Sequence, residues 1–166
     1  MKLPKKTLYN TIFHPNLLYA IELFGNATKT TIKGLQTIQN KALRVLYDYP
    51  RLYSTKEMYK ELNILKIKPL FMYRATIMMD KLIKQTATLN IHNTLRDYCT
   101  QMDHKYYTRK KDNFNLKFDR PSFTSSNSFR LFMLWNDIPT DIKISQSITS
   151  FKNELYSYFS NIQNDT

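Results

Sequence analysis

Glycine is nearly absent from this chain, with two residues in 166, Gly25 and Gly34. A many-turned sandwich or barrel needs turn residues every ~8–12 positions, and six prolines do not make up the shortfall. The scarcity therefore points to helices. Two isolated glycines also exclude a glycine-rich loop that cradles phosphate. The single cysteine, Cys99, permits no intrachain disulfide framework and suits a reducing compartment. No run of ~18 apolar residues occurs, so nothing reads as a membrane span. The opening MKLPKKTLYNTIFHPNLLYA lacks the clean apolar stretch and small-residue cleavage site of a signal peptide. The expected location is intracellular, cytoplasmic or nuclear, and not secreted.

Acidic residues are also scarce, 13 against 25 Lys plus Arg, giving a net charge of +12. Lys, Asn, Ile and Tyr are abundant together, as an AT-rich coding sequence would produce, and that bias accounts for roughly a third of the excess. The remainder points to a polyanionic partner. Catalytic carboxylates are not evident. No Asp-Asp pair occurs, and Asp137 and Asp141, which flank Pro139, read as turn residues. The other acids are scattered singly, against a nuclease centre. His92, Cys99 and His104 fall short of the four closely paired ligands that zinc prefers. Cys99 has no identifiable orienting group that would make it a nucleophile. No cofactor is expected.

What is present is a helical pattern, with hydrophobic content of 42%, enough for a core. Leu8, Ile12, Leu17, Leu18, Ile21 and Leu23 suggest a short helix before His14 and a longer one from Pro15 to Phe24, stopped by Gly25-Asn26. Over residues 28–47, Ile32, Leu35, Ile38, Ala42, Val45 and Leu46 share one broad face at 100° per residue. Lys29, Lys33, Lys41 and Arg44 take the opposite one. Tyr49-Pro50 ends this helix, and Ser54 with Glu57 forms a capping box for another reaching Leu62. A third helix from Pro69 to Gln85 is apolar over most of its circumference and should be central, with Met72, Met78 and Met79 filling gaps.

Residues 87–112 lose periodicity and read as a linker, and NFNLKF at 113–118 alternates in a way that admits a short strand or hairpin. A helix through Phe129, Leu131, Phe132 and Trp135 stops at Ile138-Pro139, with Trp135 anchoring a small second core. The last helix begins near Ser147, buries Ile148, Phe151, Leu155 and Phe159, and frays into SNIQNDT. The expectation is a mainly α protein. It comprises a helical lobe (1–86), a linker (87–112) and a small two-helix lobe with a frayed tail (113–166).

Two clusters are candidates for nucleic-acid binding. Lys29, Lys33, Lys41 and Arg44 lie on a helix without any acidic residue, near Lys66 and Lys68, and could follow a phosphate backbone. Tyr106, Tyr107 and Arg109 combine rings for base stacking with charge, within the run His104 to Lys111. A solvated helix face and a solubilising linker are the alternative readings. Membrane attachment explains the charge less well, because the apolar faces are needed for a core.

The ordered motifs HPNLLYAIELFGN (14–26), LQTIQNKALRVLYDYPR (35–51), STKEMYKELNILKI (54–67), HKYYTR (104–109), LWNDIP (134–139) and SITSFKNEL (147–155) carry a resemblance. Over residues 7–160 the chain resembles the C-terminal end of reverse transcriptases from non-LTR retrotransposons, particularly the jockey-like group. It departs from them at Phe24, where a Trp is common, and in SSNSFRLFMLW, which replaces a more Gly/Pro-containing approach to Trp135. The resemblance implies that residues 1–86 are a helical thumb gripping a primer–template duplex of RNA and DNA. The following residues would be the short C-terminal appendage. It further implies that the magnesium-binding carboxylates belong to a palm with no counterpart here, so the chain would not polymerise. Two other readings stay open. One is a structural remnant that packs on the palm and fingers of the parent polymerase; the other is a helical protein-interaction module.

Overall fold

The structure is a computed structural model that describes residues 4–19, 21, 27–84, 99–101, 114–116, 127–145 and 147–165. It is mainly α. The chain forms two compact units, Met1–Phe71 with Tyr158–Thr166, and Met72–Ser157. The expected divisions near residues 86 and 113 are not where these units part. Both observed boundaries fall inside helices, because each helix is continuous in hydrogen bonding while its two ends pack into different units.

The first unit opens with a helix that passes a proline. Helix α1 (Lys5–Leu8) runs through a π-helical turn (Tyr9–Phe13) into α2 (His14–Leu18). Pro15 has no N–H, and its ring would press on the carbonyl four residues back. Widening the turn, with the His14 N–H donated to Tyr9 O, carries the backbone past that position. The break expected at His14 is therefore a bulge inside one helical run. The expected stop at Gly25-Asn26 lies outside the described residues.

Helix α3 (Lys29–Tyr47) begins at Thr28, whose side chain accepts the Thr31 N–H, and ends at Asp48 in the left-handed region. Aspartate tolerates that conformation better than most residues. The buried stripe of α3 is not the expected one. Gln39 and Leu43 are fully buried, while Ile38 and Val45 are 55% and 80% exposed. At 100° per residue, the inward face is turned roughly 75° from the purely apolar face.

The reason is polar. The Gln39 amide donates to Tyr9 Oη (3.1 Å) and to Leu65 O (3.0 Å). Gln36 Nε2 donates to Tyr59 Oη (2.7 Å) and divides its other hydrogen between Gln39 Oε1 and Asn40 Oδ1, each at 3.0 Å. Gln36 Oε1 accepts the Ile67 N–H at 2.9 Å. Around this network pack Tyr9, Leu43, Met58 and Tyr59, with Phe13, Leu46 and Leu62 at their edges.

Helix α4 (Thr55–Leu62) starts at Ser54, whose hydroxyl accepts the Glu57 N–H as the cap pattern predicts, and ends on left-handed Asn63. Helix α5 (Ile67–Ile83) follows after three residues. It begins two residues before Pro69, which therefore sits within the first turn, where no N–H is missed. The last helix, α8 (Ile148–Asp165), continues through SNIQND, where fraying was expected, and Thr166 lies outside the described residues. Gln163 is 5% exposed, donates to Ile64 O (3.1 Å) and accepts the Lys66 N–H (2.7 Å).

The second unit contains the rest of α5 and a pair of antiparallel strands, β1 (Cys99–Gln101) and β2 (Phe114–Leu116), with Thr100 opposite Asn115. Strand β1 lies in the stretch expected to be linker, and β2 lies within the alternating NFNLKF. Helices α6 (Asn127–Asp137) and α7 (Thr140–Lys143) follow. Trp135 is buried as expected, with Lys143 Nζ 5.4 Å from its ring centroid. Phe151, Leu155 and Phe159 are buried along α8, whereas Ile148 is half exposed. Met79 is buried in α5, and Met72 and Met78 are partly so.

Replacing Gln39 by Ala should destabilise the protein by about 2–4 kcal/mol, because buried groups left unpaired cost about 1–3 kcal/mol each. Gly34→Ala should have the opposite sign. A Cβ there meets nothing within 4 Å, so removing helix-interior glycine should add about 0.5–1 kcal/mol. Urea unfolding of both variants beside the parent measures the two changes.

Candidate nucleic-acid interface

Helix α3 contains no acidic residue, and Lys29, Lys33 and Lys41 are exposed on it. At 1.5 Å rise per residue, Lys29 and Lys33 are about 6 Å apart along the axis, and Lys33 and Lys41 about 12 Å. These separations are close to one and two phosphate spacings along a strand. Around the helix the three are spread over about 120° at 100° per residue. Lys68 is exposed as well.

Arg44, expected beside them, is placed differently. Its guanidinium donates to Tyr53 O and Thr55 Oγ1, both at 3.1 Å, and so is committed to the turn that follows α3. Lys66 is half-buried, lies 5.9 Å from the Tyr59 ring centroid, and has its pKa lowered by burial and then by Lys56. Neither is a free cation on the outer face of α3. Tyr106, Tyr107 and Arg109 lie outside the described residues, so the stacking cluster is not located.

Rotation of α3 also leaves an apolar groove of about 510 Å³. Ile12, Ile38 and Val45 line it, and Lys41 is its charged member. Lys5 pairs with Asp48 at the far end of the same helix.

Helical periodicity does not single out the turn between α3 and α4. It is held from several sides. The Tyr49 and Tyr53 rings stack at 4.7 Å, and both hydroxyls donate to one carboxylate, Glu61, at 2.6 and 2.5 Å. The Tyr53 N–H donates to Pro50 O, and the Tyr49 N–H to Arg44 O, each at 3.0 Å. The tip, Pro50-Arg51-Leu52, is exposed, and Leu52 is 95% so. Its signal in the sequence is two tyrosines four apart around Pro-Arg-Leu, with a carboxylate one helix later.

Among the described residues no group of His, Cys, Asp or Glu is arranged to hold a metal ion. Nor is any helix among them long and apolar enough to cross a membrane.

The Tyr–Glu clasp sets two opposite pH limits. Hydrogen bonds from Tyr49 and Tyr53 hold the Glu61 carboxyl below its usual 4.5. The brace is therefore complete above that value and is lost as pH falls through the lower folded one. Chiefly through their bonds to Glu61, both hydroxyls are pushed up from 10.0 to about 12. Their contribution is complete below 10.0 and is lost as pH rises through about 12. In an NMR titration of the tyrosine rings, Tyr49 and Tyr53 should turn over near 12 and move back toward 10.0 in Glu61→Ala. Unmoved midpoints in that variant would remove the clasp. Comparison with known proteins yields no matching family model, curated protein or solved structure.

Proposed function

We propose that this chain is a non-catalytic nucleic-acid-binding part of an RNA-directed DNA polymerase of the non-LTR retrotransposon type. It holds a primer–template duplex by its phosphate backbone. The observation that carries the reading is the exposed set Lys29, Lys33 and Lys41 on a helix with no acidic residue, in a chain of net charge +12. The ordered sequence motifs supply the choice of polymerase class. In this reading the magnesium ions are held by a palm outside these residues, and nothing here is assigned to them.

A second reading is favoured by the groove beside Ile12, Ile38 and Val45, since exposed apolar surface of this kind commonly marks a packing site. There the unit serves as a seat for another part of the polymerase and has no affinity of its own for nucleic acid.

Replacing Lys29, Lys33 and Lys41 together by Glu should weaken binding of an RNA–DNA hybrid duplex. The slope of log K against log salt should flatten by up to roughly 2.7 units if all three meet phosphates. Arg44 is left in place, because its bonds to Tyr53 and Thr55 make it a structural residue. An unchanged slope in a variant that keeps its circular dichroism spectrum would remove the lysine assignment. Salt-insensitive or absent binding by the unmodified protein would favour the packing seat.

A further inference from the structure

The Asp48–Ser54 turn is fixed by more side-chain bonds than its length requires, yet its tip stands in solvent. Single exposed leucines are ordinary on protein surfaces. Leu52 differs in what flanks it. Stacked tyrosines, a shared carboxylate and the half-buried arm of Arg44 hold the backbone on both sides of Pro50-Arg51-Leu52. Fixing a loop before its partner arrives removes the ordering cost that binding would otherwise incur. An apolar side chain beside a cation on a rigid loop suits entry between stacked bases, where leucine and proline act as wedges and arginine meets phosphate.

Position agrees with this chemistry. Lys41 lies about 9 Å along the axis from the end of α3, at 1.5 Å per residue, so a backbone followed by the lysines comes within reach of the turn. We propose that Asp48–Ser54 is a wedge. Leu52 enters between adjacent base pairs of a bound duplex, and Arg51 neutralises the phosphate beside the opened step. The inference rests on the nucleic-acid reading above and adds to it a contact that deforms the duplex rather than merely holding it.

The test uses the whole chain and an RNA–DNA hybrid duplex carrying 2-aminopurine at one position at a time, whose fluorescence rises when its neighbours unstack. The expected result is a several-fold rise at one or two adjacent positions on binding. Leu52→Ala should abolish the rise at saturating protein while the salt slope, set by the lysines, stays unchanged. Leu52→Met should keep it. Because Leu52 is in solvent, both variants should fold as the parent does, which circular dichroism checks. Tyr49→Phe with Tyr53→Phe keeps the rings but removes the clasp, and should weaken the rise without loss of binding. Salt-dependent binding with no rise at any position, or a full rise in Leu52→Ala, would overturn the wedge and leave the lysine contacts standing. Absence of salt-dependent binding by the unmodified protein would overturn both.

Discussion

The first unit depends on how four backbone groups are satisfied in a short non-helical stretch. Between α4 and α5 the chain must pass through the interior, because Leu65 and Ile67 are needed in the core. The backbone there has no helix or strand to complete its hydrogen bonds, and an orphaned buried amide or carbonyl costs about as much as a lost bond. Side-chain amides take that role. Gln39 holds Leu65 O, Gln36 holds the Ile67 N–H, and Gln163 holds Ile64 O and the Lys66 N–H. An amide carries both a donor and an acceptor, so it can substitute for a neighbouring strand. The orientation of α3 and the docking of the last turn of α8 both follow from this requirement.

The same requirement explains what could be read from the sequence and what could not. Local signals were legible. Ser54 caps α4, Tyr49-Pro50 marks the end of α3, Trp135 is buried ahead of Ile138-Pro139, and Phe151, Leu155 and Phe159 form the buried stripe of α8. Each depends on residues within a turn or two. The face of α3 was misjudged because amphipathic reading ranks side chains by their cost in oil, and Gln39 ranks low. A glutamine with its hydrogen bonds made is buried without that penalty, but its partners stand 26 and 30 residues away. The polar SNIQNDT looks frayed for the same reason, since the partners of Gln163 lie 97 and 99 residues back. Arg44 shares the helical angle of the lysines, and only the turn that follows captures it.

Electrostatics gives α3 an uneven character. Lys29 occupies its first turn, where the helix dipole already concentrates partial positive charge, and a cation there is unfavourable by about 0.3–1 kcal/mol. Arg44, in the last turn, is aligned with the dipole. An anion beside the amino end would therefore relieve repulsion as well as gain attraction. The effect belongs to Lys29 alone, since it falls off within the first turn.

The docking of Gln163 has a consequence for the order of synthesis. The first unit draws on residues up to Phe71 and again from Tyr158, so its early part leaves the ribosome with the Ile64 carbonyl and Lys66 amide lacking their eventual partner. At about 5–20 residues per second, the intervening stretch takes roughly 5–20 s to translate. During that interval water must occupy the place of the glutamine. The unit matures by exchanging that solvent for a side chain made 97 residues after Lys66.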